Sequence, residues 1–293
     1  MEGITNAFLS LLMKIGLCYD PLKTLGWPSL PADYLEANVQ ALLMPEAAEA
    51  DFEPVARGLA GLAGRIPAAN CFLPADLRIT GPAADHARLA RYADTAFRRA
   101  ARIGVKFIVF GSGGARQVPD GWPLAEGFEQ FVRALEICAP LAAKHGVVLV
   151  VEPLNRAECN LVNTVLEGAA AVARVNHPNV RLLVDIFHML RNGESPDDIV
   201  KAGPWIAHAH VAEKADRTAP GVAGDDFRPF LAALKRAGYA GSLSIESKLG
   251  VAPETEIIRS VEVLREQLAG RGPRSQASGS ARNSASVCGR GAE

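Results

Sequence analysis

Eight apolar runs of strand length recur along the chain: 14–20, 33–39, 68–74, 105–113, 147–154, 180–188, 205–213 and 241–247. Several, such as VVLVVEPL and VRLLVDIFH, are β-rich and almost continuously apolar, the pattern of strands buried on both faces. Between them apolar positions fall at helical spacing. The clearest cases are 85–104 and 124–146, the latter with Leu124, Phe128, Phe131, Val132 and Leu135 on one face. Alternating strands and helices predict a parallel sheet covered on its outer side. Eight such units closing on themselves predict a (β/α)8 TIM barrel over residues 13–270. GWPSLPA, after the first run, is a poor helix, so the barrel is expected to be irregular there. The helical residues Ile257, Ile258, Val261 and Leu264 are expected to face the core, and Ser195 with Pro196 reads as a helix start.

The flanks read differently. Residues 1–12 are expected to be an extension ahead of the first strand. Residues 271–293 contain no Leu, Ile or aromatic side chain and are expected to be a disordered tail.

Composition narrows the class of partner. Lys plus Arg, 31, nearly balances Asp plus Glu, 32, so no bulk field favours nucleic acid or an anionic membrane. No apolar run is long enough to span a bilayer, and NAFLSLLM lacks a basic flank and a cleavage site. The five cysteines form no CxxC pair, which argues against a disulfide framework or thiolate zinc site and fits a reducing cytoplasm.

The polar interruptions of the apolar runs carry the chemistry. LLVDIFHML (182–190) would be pure core but for Asp185 and His188. Other strands end in the same way: Glu152 before Pro153, His208 and His210, then Glu246. Barrel active sites are built at the C-terminal strand ends, so four consecutive strands would deliver ionisable groups to one rim. Carboxylates gathered there would repel unless a cation neutralised them. A thiolate-free set of carboxylates and one imidazole suits Mn²⁺ or Mg²⁺, with Co²⁺ compatible, better than structural zinc. His210 is nearer the rim and reads as the ligand, with His208 filling the layer below. Three further features have bland readings: Glu36 as an exposed rim ion pair, Trp122 as packing on the barrel top, and FGSGGAR (110–116) as a tight turn with Arg116 as a substrate contact.

With these residues in hand, the chain resembles the xylose-isomerase-like sugar isomerases and epimerases, particularly the D-tagatose and D-psicose 3-epimerase branch. The matching segments are EPLNRAECN (152–160), VDIFHM (184–189), HAHVAEKADRTAPG (208–221) and SIES (244–247). The resemblance implies one divalent metal on Glu152, Asp185, His210 and Glu246, with Glu152 and Glu246 also the acid/base pair. It implies that Glu158, His188 and Arg217 contact the sugar oxygens. The interval from His210 to Arg217 is one residue longer than in the epimerases. The implied reaction is 3-epimerisation of a keto sugar through a metal-stabilised enediolate. Aldose–ketose isomerisation of the hydroxypyruvate isomerase type, or a dehydratase acting on a keto-polyol such as an inosose, would share that intermediate. A sugar or polyol substrate and a homodimer or homotetramer are the partners implied. A nuclease would need a more histidine-rich site and a basic face, and a binding subunit would be expected to have lost part of the ligand set.

Overall fold

A computed structural model describes residues 13–27, 29–250 and 252–271; the expected extension, and all but the first residue of the expected tail, lie outside the described residues. Eight strands, β1 Lys14–Cys18, β2 Tyr34–Asn38, β3 Ala68–Asn70, β4 Phe107–Phe110, β5 Val148–Val151, β6 Val180–Asp185, β7 Ile206–Val211 and β8 Ser242–Ile245, close in sequence order into a parallel barrel. Each lies within one apolar run and stops short of its end, because the last residues of the run leave the ladder to build the rim. The run 147–154, for example, pairs only to Val151, where Glu152 and Pro153 begin a loop.

Two apolar layers hold this arrangement. Val109, Val150 and Leu183 fill the barrel with Phe107, Val148 and Ala207, while a larger core joins the outer sheet face to the helices. Each such fully buried Val or Leu contributes roughly 1.5–3 kcal/mol. Gly16 is required on β1, since a Cβ there would lie 2.1 Å from the Tyr34 ring that crosses the interior.

The predicted helices form at His86–Ile103, started by the Asp85 side chain on Arg88 N–H, and at Leu124–His145. Gly104 and Gly146 end them in the left-handed conformation, with φ of 86° and 66°. Ser195 caps Pro196–Ala202 as predicted. Only a single 3-10 turn, Pro21–Thr24, lies in the described chain between β1 and β2, matching the expected irregularity. Two positions depart from expectation. Leu124 is 55% exposed because it opens its helix ahead of the turns that meet the core, and Ile258 is 43% exposed, outside the face on which Ile257, Val261 and Leu264 are buried.

Candidate active site

The inward direction of each rim residue follows from the strand period of two. Val148 and Val150 point into the barrel, so Glu152 does too. Leu183 points inward, and so does Asp185. Between β6 and β7 the register jumps, Leu182 pairing with Ile206 but Leu183 with His208. This irregularity sets His208 and His210 beside Leu183 and Asp185, facing inside. On β8, Ser244 is bonded to Tyr34 within the barrel and Glu246 follows two residues later.

Asp185 does two jobs. Its Oδ1 accepts the Phe187 N–H at 2.8 Å and so starts a short helix, Ile186–Asn192. His188 therefore lies in a helical turn, not at the end of a strand, and the turn folds its ring back over the cluster with Nε2 3.5 Å from Asp185 Oδ2. The Asn155 N–H donates to His188 Nδ1 at 3.1 Å, which leaves the proton on Nε2. That buried Nε2 has no hydrogen-bond partner and is 3.8 Å from Glu152 Oε1, itself unpartnered.

One ligand atom each from Glu152, Asp185, His210 and Glu246 lies within 4.8 Å of the others. His210 turns Nδ1 into the group, 3.1 Å from Glu246 Oε2 and 3.5 Å from Glu152 Oε1. Arg217 joins from the loop after β7: its guanidinium binds Glu246 closely, lies 3.5 Å from Asp185 and 3.8 Å from Glu158, and covers the Phe187 ring at 4.6 Å. Asp216 and Arg217 both adopt left-handed φ, 53° and 57°, in this longer loop. Cys71 and Ser112, at neighbouring strand ends, share that sparsely populated region, and such strain gathers at functional sites.

The electrostatics divide the two glutamates. Burial raises the Glu152 carboxyl, and the charge of Glu246 adds to the effect. Burial would raise Glu246 as well, but Arg217 and His210 outweigh it and hold that carboxyl down at about 2. The two carboxyls are thus pushed in opposite directions, the division that acid/base chemistry uses.

Two cavities meet over this cluster, sharing Cys71 and Glu246. One, of about 380 Å³, is lined by Ser112, Glu158, His188 and Arg217; the other, of about 330 Å³, by Cys18, Tyr19, Leu42 and Asn70. Together they leave room for a small polyhydroxy molecule with the carboxylates against it.

Residues 46–267 match the sequence pattern described as the Xylose isomerase-like TIM barrel. The chain belongs to that family. Within it, the chain is 36% identical over 117 residues to the L-ribulose 3-epimerase of Methylomonas sp. (strain DH-1), a match covering 40% of this chain and 41% of that protein. It is 31% identical over 134 residues to the D-psicose 3-epimerase of Agrobacterium fabrum, covering 43% and 46%. The chain thus spans less than half the length of these curated relatives. Among solved structures, D-allulose 3-epimerase from Methylomonas sp. superposes with a TM-score of 0.71 at 22% identity, over 87% of this chain and 98% of that one, a likeness of fold.

Three sequence expectations need correction or completion. Arg116 is no substrate contact: it is fully buried and donates to the carbonyls of Phe110, Glu152 and Val162 at 2.8–3.3 Å, fixing the backbone that carries Glu152. The glycine turn before it serves the same end, since a Cβ on Gly111 would lie 2.1 Å from Glu152 Oε2. Glu36 is no exposed rim ion pair: it is 1% exposed and bonded to His208 and His210. Trp122 packs against the core and lines neither cavity.

Several supporting residues escaped the sequence reading. Asn70 donates to Glu246 Oε1 at 2.8 Å, and Asn155 bridges Glu158 and His188. Glu213 accepts from the backbone of Gly221, Ala223, Gly224 and Asp225 and from the Thr218 hydroxyl, anchoring the loop that carries Arg217. Asn155 and Glu213 lie inside the segments that carry the family resemblance, which was the available signal. Asn70 offered none, being one amide at the end of a three-residue strand.

Proposed function

We propose that this protein is a metal-dependent ketose 3-epimerase. The observation that carries the reading is the convergence of Glu152, Asp185, His210 and Glu246 within 4.8 Å, with two of its carboxylates shifted in opposite directions. The donors fit a hard divalent cation: three carboxylates and one imidazole, all buried but the half-buried Glu246, with Glu152 Oε1 lacking any hydrogen-bond donor. Mn²⁺ is the first choice, with Mg²⁺ and Co²⁺ compatible.

A hydrogen beside a ketone is a very weak acid, and the cation, when bound, supplies the positive charge that stabilises the enediolate left by its removal. The chain's own residues supply the rest. Glu246 takes a proton from one face of C3 and Glu152, whose carboxyl burial pushes upward, delivers one to the other face; the roles reverse for the opposite epimer. The two come from strands with two others between them, which supports an approach from different sides. His188 presents Nε2–H to a substrate oxygen, while Arg217 and Glu158 hold the neighbouring hydroxyls.

The relatives named as L-ribulose and D-psicose 3-epimerases support the substrate class, a free keto sugar. A homodimer or homotetramer and a cytoplasmic location complete the reading. The four described cysteines are free thiols, which supports the location, and no helix among the described residues is long and apolar enough to cross a membrane.

Chromatographic analysis of ketohexoses and ketopentoses incubated with the Mn²⁺-loaded protein tests the reading. A C3 epimer formed by the wild type and lost in Glu246→Gln is the expected result. An aldose product would replace the epimerase reading with isomerisation, and an enone absorbance would replace it with dehydration.

A further inference from the structure

Beneath the four-residue cluster lies a buried polar network that the proposed mechanism does not use. Glu36, at the middle of β2, directs Oε1 to His210 Nε2 at 2.9 Å and Oε2 to His208 Nε2 at 2.8 Å and Ser244 Oγ at 2.6 Å. Tyr34 completes the chain through its hydroxyl, 2.7 Å from Ser244 Oγ. Glu36, His208, His210 and Ser244 are all 0–1% exposed, so the contacts are shielded from water. Strands β1 and β8 separate β2 from β7, so the Glu36–His210 contact spans the barrel interior.

The geometry bears on which imidazole nitrogen faces the cluster. His210 Nδ1 is the atom nearest Glu246 and Glu152, while Nε2 points away from them at Glu36. A carboxylate only accepts, so Glu36 keeps the hydrogen on Nε2; Nδ1, which shares its hydrogen with Glu246 Oε2 at 3.1 Å, is then the nitrogen that would give it up to ligate a cation. Glu36 itself is poorly placed to bind an ion. Cys18, Glu36 and His210 also offer atoms within 4.8 Å of one another, but both Glu36 oxygens already serve three donors.

We propose that Glu36 is a positioning residue for the metal site, locking His210 as the Nδ1 donor and thereby setting the affinity of the cluster for a divalent cation. The inference rests on the metal reading above. A glutamine is a poorer partner: it carries no charge and offers one acceptor oxygen, so even with that oxygen kept on His210 Nε2–H its amide must be accommodated by His208 and Ser244. Partners of this type hold a ligating histidine in orientation and raise its basicity, and their loss weakens metal binding about 10–100-fold.

The test uses the full, metal-stripped chain as wild type, Glu36→Gln and Asp185→Asn. Mn²⁺ binding is read from the loss of the free-ion EPR signal, and thermal unfolding of each metal-free protein is measured alongside. Weaker binding by Glu36→Gln, by about 10–100-fold, is expected. In parallel, long-range ¹H–¹⁵N spectra of the Mg²⁺-loaded proteins should show His210 protonated at Nε2 in the wild type and a mixture of tautomers in Glu36→Gln, a change that a merely structural role for Glu36 would not produce. Wild-type affinity in a folded Glu36→Gln protein overturns the inference while leaving the metal reading intact, and so does an Nε2 without its proton. Should the variant not fold, the wild-type spectrum decides alone. Failure of the wild type to take up Mn²⁺ or Mg²⁺ sinks the metal reading itself.

Discussion

Replacing Glu213 by Gln removes one acceptor oxygen from the clamp that shapes the loop after β7. The carboxylate is fully buried: Oε1 accepts from Gly221 N and Gly224 N at 2.8 Å and from Asp225 N at 3.3 Å, and Oε2 accepts from Thr218 Oγ1 at 3.0 Å and closely from Ala223 N. Glutamine keeps its oxygen on the three-donor side and turns its NH₂ toward Thr218 and the Ala223 N–H. The threonine hydroxyl can rotate to accept, but the Ala223 N–H meets another donor. With one or two charge-assisted bonds lost, at roughly 1.5–3 kcal/mol each, the cost is about 2–6 kcal/mol. In a domain of this size each kcal/mol moves Tm by roughly 2–4 °C, so a fall on the order of 10 °C is expected if the loop melts with the barrel. If it opens locally, faster amide exchange confined to residues 214–225 is expected instead. Either way Arg217 loses its perch, and kcat/KM on a responsive ketose should fall on the order of tenfold, mainly through KM. Differential scanning calorimetry, hydrogen exchange and steady-state kinetics read the three effects. Unchanged Tm, exchange and kinetics together would refute the clamp.

Gly111→Ala places a methyl 2.1 Å from Glu152 Oε2, so Mn²⁺ affinity should fall at least about tenfold; calorimetric titration checks it, and wild-type affinity would show that Glu152 is not needed in its observed place. Arg116→Leu leaves three carbonyls without their buried donor and should cost about 3–5 kcal/mol in denaturant unfolding. Stability of the metal-free protein should also depend on pH with a definite sign. His210 is raised by Glu36 and Glu246 against the opposing effect of its burial, so its contribution is complete below its ordinary 6.5 and is lost as pH rises through the folded value. Glu152, raised by burial, adds to that loss above its ordinary 4.5, whereas Glu246, held at about 2, loses its contribution only as pH falls from 4.5 toward 2. The metal-free Tm should therefore decline from roughly pH 5 to pH 8, and saturating Mn²⁺ should reverse the trend because it binds the deprotonated ligands.

The barrel was legible because buried parallel strands leave a distinctive pattern: all eight observed strands fall inside apolar runs of the sequence. The proposed ligand residues were legible for the converse reason, as Glu152, Asp185, His210 and Glu246 interrupt or end those runs. What escaped was contact across the barrel. Nothing near Glu36 in the chain announces that its partners stand 172 and 174 residues away, so its side chain read as a rim charge. Arg116 was misread because an arginine after a glycine turn looks exposed, whereas three carbonyl acceptors from separate segments make its burial tolerable. His188 was placed on a strand because Asp185 looks like one more strand residue, and only its bond to Phe187 N–H shows that the chain turns there into a helix.

The central claim is that one cation-dependent site exchanges the hydrogen at C3 of a keto sugar. NMR of a responsive ketose in D₂O, with metal-stripped protein before and after Mn²⁺ is added, measures that step directly. Deuterium entering C3 only in the presence of Mn²⁺, and not with Glu246→Gln, is the predicted result. Exchange at C3 without metal, exchange that persists in Glu246→Gln, or exchange at C1 alone would contradict it.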